Sequence, residues 1–129
     1  MKKNGYIIPN GVVLETHENK TMVFLTELGY TIELIPPKPA EYRAKTPDAK
    51  INGKYWEVKA PKGNGKHTID HILERAASQS ANVIIDLRRA KAPVRSLAKV
   101  KFGALKRSKL KNVVVITKDG KLLDVKGTF

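Results

Sequence analysis

From Thr68 to about Ser80 the apolar residues Ile69, Ile72, Leu73, Ala76 and Ala77 recur at i, i+3, i+4, i+7 and i+8, the spacing of one helix face. Met22, Leu25 and Leu28, extended by Phe24, form a second helical stripe that Thr16 can cap and Gly29 can end in a left-handed conformation. A third helix, less strongly patterned, covers Arg95 to Leu105. The remaining apolar runs are short and β-prone. Tyr6-Ile7-Ile8 and Val12-Val13-Leu14 flank Pro9-Asn10-Gly11 and predict a small leading hairpin. Tyr30 to Ile35 predicts a strand closed by Pro36-Pro37, followed by an irregular connection from Lys38 to Thr46. Asp48 to Ile51 and Lys54 to Ala60 read as two strands around Asn52-Gly53, a strong two-residue hairpin signal. Val83-Ile84-Ile85 is apolar throughout, as in a strand covered on both faces, and Val113 to Thr117 with Leu122 to Val125 predicts a hairpin about Asp119-Gly120. Strands alternating with helices, without an internal repeat or dividing linker, predict one α/β domain over residues 1–129, with a mixed central sheet flanked by helices in two or three layers.

Composition narrows the class. Of 129 residues 41% are hydrophobic, too many for a disordered basic tail. The longest aliphatic run, Val113 to Ile116, is far short of the roughly 20 residues that cross a bilayer, so no membrane-spanning segment is expected. No apolar core of a secretory signal follows Met1-Lys2-Lys3. The absence of cysteine excludes a disulfide framework, a thiolate zinc site and a Cys nucleophile, and a reducing compartment fits. The net charge of +13 is unevenly placed: residues 1–87 hold 12 basic and 10 acidic side chains, and residues 88–129 hold 13 and 2. Such a distribution suits a polyanion lying across one part of the domain, nucleic acid first and an acidic protein second.

The Asn52-Gly53 turn has a chemical consequence. In a two-residue hairpin Ile51 pairs with Lys54, which sets Asp48 opposite Glu57, about 4.5–5.5 Å apart at Cβ, where like charges destabilise the pair. Lys59 shares the face of Glu57, while Trp56, Val58 and Ala60 point to the other. A divalent cation gives the two carboxylates a reason to meet, Mg²⁺ first, with Mn²⁺ or Zn²⁺ as alternatives. Lys59 beside it could orient water or stabilise charge developing on a phosphoryl group. Glu18, four residues before Met22 and seven before Leu25, brings a third carboxylate onto the core-facing stripe. Against this stand simpler readings, with Glu18 as a first-turn acid complementing the helix dipole and Lys59 in an ordinary surface ion pair.

Pro47-Asp48 followed by Glu57-Val58-Lys59, with a helical Glu18 before them, resembles the PD-(D/E)xK nuclease superfamily. The wider run is more specific. It comprises His17-Glu18-Asn19 to Gly29-Tyr30, Pro47 to Lys54, Trp56-Glu57-Val58-Lys59-Ala60-Pro61, Thr68-Ile69, and Asn82-Val83-Ile84-Ile85-Asp86-Leu87-Arg88-Arg89. Over residues 17–125 it is similar to the tRNA-cleaving C-terminal nuclease domains of bacterial contact-dependent growth inhibition toxins. That resemblance implies a metal held by Asp48 and Glu57 with Glu18 nearby, Lys59 as catalytic lysine, and a small, usually acidic, immunity protein. The 129 residues contain no long delivery region, which leaves two settings: an excised domain of a larger secreted or surface toxin acting in the bacterial cytoplasm, or a free-standing relative.

Other residues are candidates for contact with nucleic acid. Lys62 and Lys66 lie in the Gly63-Asn64-Gly65 loop, and His67 and Thr68 open the following helix. His67 and His71 lack the companion acid of a metal motif and read as solvent-exposed. Gln79 stands at the edge of the apolar stripe, within reach of the active edge of the sheet. Arg88 and Arg89 follow Asp86 at a strand end and are the expected phosphate contacts. Lys99, Lys101, Lys106, Arg107, Lys109 and Lys111 supply a diffuse field. Two other functions use the same residues: a DNA endonuclease of resolvase or restriction type, and a non-catalytic basic RNA-binding module in which Asp48, Glu57 and Lys59 form only an ion-pair network.

Overall fold

The structure is a computed structural model and describes residues 4–38, 46–63, 65 and 67–129. Its elements follow as β1 (Ile7–Ile8), α1 (Thr16–Glu27), β2 (Ile32–Leu34), β3 (Ala49–Ile51), β4 (Lys54–Lys59), α2 (Thr68–Gln79), β5 (Asn82–Asp86), α3 (Pro93–Lys106), β6 (Asn112–Ile116) and β7 (Leu122–Lys126). Among the described residues the strands form one seven-stranded sheet in chain order. The order follows from the connections: each helix carries the chain across to a parallel neighbour, joining β1 to β2, β4 to β5 and β5 to β6, whereas β3–β4 and β6–β7 are antiparallel hairpins.

The sheet is covered on both sides. Met22 and Leu25 of α1 pack with Ile32, Leu34, Ile51, Trp56, Ile84 and Val114 on one face. Ile69, Leu73 and Ala76 of α2 and Val100 and Ala104 of α3 pack with Val83, Ile85, Val113 and Val115 on the other. The strictly apolar β5 and β6 are therefore sandwiched, as their runs of Val and Ile require. This is a three-layer α/β domain with a mixed sheet.

The Asn52-Gly53 hairpin forms as the sequence predicts. Its two turn residues have φ of 54° and 76°, and Ile51↔Lys54, Lys50↔Tyr55 and Ala49↔Trp56 pair across it. The leading hairpin does not form. Asn10 and Gly11 make the turn, with φ of 48° and 80° and Val12 N–H donating to Pro9 O at 2.8 Å, but the two residues of β1 are claimed by β2 in parallel. Val12 and Leu14 pack instead against the core on the α1 side. Thr16 is the first residue of α1 and Glu15 occupies the cap position, because the Glu18 carboxylate reaches back to the Glu15 N–H at 3.0 Å. The irregular connection expected between Lys38 and Thr46 lies largely outside the described residues.

Candidate functional site

β3 begins at Ala49, one residue later than the sequence pattern suggests, and this difference builds the site. Asp48 leaves the ladder: its N–H donates to Trp56 O at 2.9 Å, and its Oδ2 accepts the Val58 N–H at 2.8 Å. A side chain thus replaces a ladder bond, and the sheet opens between Asp48 and β4. The opening is a pocket of about 280 Å³ whose lining includes Glu18 of α1, Asp48, Val58 and Gln79 of α2. Helices from opposite faces of the sheet therefore bring Glu18 and Gln79 to one pocket.

Glu57 is the unusual residue. Expected to face outward with Lys59, it is 1% exposed, because α2 and α3 cover the sheet face that it shares with Val83. Lys59 Nζ lies 3.3 Å from Glu57 Oε2 and is itself partly exposed at the end of β4. Glu57 Oε1 is buried without a hydrogen-bond partner among the described residues. Burial first, and then the adjacent Asp48 carboxylate, push the Glu57 pKa from 4.5 to about 8 against the opposing pull of Lys59. An orphaned oxygen beside a second carboxylate calls for a shared proton or a cation. The donor set, carboxylate oxygens from Asp48 and Glu57, fits a hard divalent ion. Glu18 has two roles: its Oε1 caps the Glu15 N–H in the first turn of α1, and the residue lines the pocket. Glu15, His17 and Glu18 bring ligand atoms within 4.8 Å of one another, although Glu15 is exposed and the cluster is accounted for by capping.

A second, larger cleft of about 750 Å³ lies along the other side of α1, at the C-terminal ends of β4 and β5. His17, Lys20, Phe24 and Glu27 line it from the helix at i, i+3, i+7 and i+10, facing Ala60, Asp86, Arg88 and Arg89. Asp86 is buried and accepts from Thr21 Oγ1 at 2.6 Å, Arg88 Nε at 3.0 Å and Arg88 Nη2 at 2.8 Å. Burial raises its pKa, but the bonds from Arg88 and Thr21 outweigh burial and hold it below the usual carboxylate value. Arg89 Nε donates to Ala60 O at 2.7 Å, which fixes it above the end of β4.

The other candidates are more scattered. Lys62 is exposed, its carbonyl accepting the Lys91 N–H at 3.3 Å, and Lys66 lies outside the described residues. His67 and Thr68 stand at the start of α2, away from the lining of both clefts, and the exposed rings of His67 and His71 are 6.2 Å apart. Within the basic C-terminal series, Arg107 is structural: it joins α3 to Glu74 at 3.1 Å and Asp70 at 3.7 Å. Sequence reasoning missed the 17/20/24/27 stripe and the buried Thr21–Asp86–Arg88 network. A polar Thr21 beside Met22 on a core-facing helix was the available signal for the network.

The family model of the contact-dependent growth inhibition CdiA C-terminal domain matches residues 45–122. No curated protein matches. Among solved structures, one described as "CdiA-CT/CdiI toxin and immunity complex from Burkholderia pseudomallei" is similar in fold, with a TM-score of 0.61 at 23% identity over 95% of this chain and 99% of that one.

Proposed function

The chain belongs to the family of contact-dependent growth inhibition CdiA C-terminal domains, a growth-inhibition toxin domain, and on that premise we propose that it is a metal-dependent nuclease of PD-(D/E)xK type that hydrolyses tRNA. The observation that carries this reading is Glu57, a buried carboxylate beside Asp48, with one oxygen 3.3 Å from Lys59 and the other without a hydrogen-bond partner among the described residues. Asp48 and Glu57 would hold Mg²⁺ or a similar ion, with Glu18 in the adjoining pocket. When bound, such an ion supplies Lewis-acid activation and charge neutralisation at a phosphodiester. Lys59, steadied by Glu57 and reaching solvent at the end of β4, stabilises charge that develops on the phosphoryl oxygens. Arg89 and the residues of the larger cleft hold the strand on the same end of the sheet. The choice of tRNA rests on the resemblance of residues 17–125 to the tRNA-cleaving members.

The fold match to a chain from a toxin–immunity complex supports a cognate immunity protein for this domain as well. An acidic one would complement the +13 charge. Membership in a family of C-terminal domains supports delivery as part of a larger surface toxin and action in the cytoplasm of the recipient bacterium. The test is incubation of purified protein with total tRNA, ribosomal RNA and plasmid DNA, with Mg²⁺ or with EDTA. Metal-dependent cleavage of tRNA is expected. Cleavage confined to plasmid DNA would favour the DNA-endonuclease reading, and no cleavage in any lane, with RNA bound, the non-catalytic one.

A further inference from the structure

The walls of the larger cleft commit it to a particular kind of ligand. Arg88 uses Nε and Nη2 on the buried Asp86 carboxylate, and Nη2 also donates to the Lys20 carbonyl at 3.1 Å. Its own N–H binds Asp86 Oδ1 at 3.0 Å, and its carbonyl accepts Lys118 Nζ at 2.6 Å, so the residue is anchored from backbone to guanidinium. Hydrogen bonds of this kind lie in the guanidinium plane and occupy its edge. The Arg88 Cζ lies over the Phe24 ring, 4.5 Å from the ring centroid. Yet the Arg88 side chain is 30% exposed and lines the cleft. What its bonds to Asp86 and Lys20 leave for the cleft is Nη1 and the remaining face of a flat, immobilised cation. With Nε and Nη2 committed to protein oxygens, three of its five N–H donors are used and the guanidinium is held rigid, so its face can serve as a stacking surface beside the two N–H groups of Nη1.

We propose that this cleft seats one unpaired RNA base, stacked on Arg88 in a Phe24–Arg88–base sandwich, with Lys20 and Arg89 at the rim for the flanking phosphates. The inference rests on the nucleic-acid reading of the carboxylate site and assigns Arg88 a role different from the phosphate contact expected of it. A cleft of about 750 Å³ has the size of a mononucleotide-class site, and it opens at the end of the sheet where Lys59 stands. Every base has a π-face, so the platform distinguishes unpaired from paired nucleotides more than one base from another.

The test uses the wild-type protein in EDTA, with ¹⁵N-labelled arginine. The Arg88 Nε–H resonance is assigned from its loss in Arg88→Lys, then followed during titration with 5′-AMP, 5′-CMP, ribose 5-phosphate and inorganic phosphate. Both nucleotides are expected to move it by the ring current of the stacked base, and the sugar phosphate and phosphate to leave it in place. Equal movement by ribose 5-phosphate, or none by either nucleotide, would overturn the proposal. In cleavage assays Arg88→Lys, which keeps the charge but has no flat face, is expected to raise KM for tRNA about tenfold with kcat little changed, and a fall in kcat alone would contradict a stacking role. The titration needs neither metal nor cleavage. A protein that cuts tRNA but shows no nucleotide shift loses the platform alone, and one that shows the shift but cuts nothing loses the nuclease reading alone.

Discussion

Replacing Glu57 by glutamine separates a catalytic carboxylate from a structural ion pair. If Glu57 were simply the partner of Lys59, at 3.3 Å, neutralising it would break a buried salt bridge and destabilise the protein by about 3 kcal/mol or more. The surroundings argue for the opposite sign. Burial and Asp48 raise the Glu57 pKa from 4.5 to about 8. A carboxyl whose folded pKa is raised contributes its stability in full below pH 4.5 and loses it as pH rises from 4.5 towards 8. At pH 7 without metal the cost is the difference between 7 and 4.5 at about 1.4 kcal/mol per unit, about 3 kcal/mol as an upper value. Glutamine has nearly the same shape, carries no charge, and can donate to Asp48 while accepting from Lys59. Glu57→Gln in EDTA at pH 7 is therefore expected to be more stable than wild type by about 1–3 kcal/mol, a rise in melting temperature of about 3–10 °C. The gain should vanish near pH 4.5, and Mg²⁺ should stabilise the wild type but not the variant. Paired thermal melts at the two pH values, with and without Mg²⁺, give the answer. A variant less stable than wild type at pH 7 in EDTA would refute the reasoning, because it would mean that Glu57 is held ionised by Lys59.

Asp86 carries the opposite sign. Its pKa is lowered in the fold, so its contribution is present above the ordinary value of 3.8 and lost as pH falls below it; Asp86→Asn should cost about 2 kcal/mol at neutral pH, with the deficit closing in acid unfolding curves. Trp56 is wholly buried, donates to Ile51 O at 3.2 Å and stacks on Phe129, so Trp56→Ala should cost about 3–5 kcal/mol in urea unfolding. Lys109 and Lys111 are exposed, and neutralising either should weaken tRNA binding slightly and lower the slope of log affinity against log salt by about 1, without changing kcat.

Most of the fold was legible because its signals are local. The 69/72/73/76/77 stripe, the Val and Ile runs of β5 and β6, and the glycine turns at 53 and 120 each specify an element without help from distant residues. Tyr6 to Leu14 were misread as a hairpin because Ile7–Ile8 is too short to choose its own partner, and β2, far along the chain, chose it in parallel. At the site, the register that pairs Ala49 to Ile51 with Lys54 to Trp56 came from the Asn52-Gly53 turn alone, although Asp48 itself leaves the ladder. The burial of Glu57 could not, since strand alternation tells which face a side chain takes but not whether a helix covers that face. The Arg88 platform was invisible for the same reason: it depends on Thr21, Phe24 and Asp86 meeting across 65 residues of chain.

The proposed nuclease site depends on Lys59 acting at a phosphodiester beside Asp48 and Glu57. Single-turnover cleavage of tRNA in Mg²⁺ by wild type and Lys59→Ala tests this most directly, with tRNA affinity measured in EDTA and circular dichroism as controls. The predicted result is a cleavage rate lower by at least about 100-fold, with fold retained and affinity within about threefold of wild type. A Lys59→Ala protein that cuts tRNA at the wild-type rate would contradict the assignment of the site.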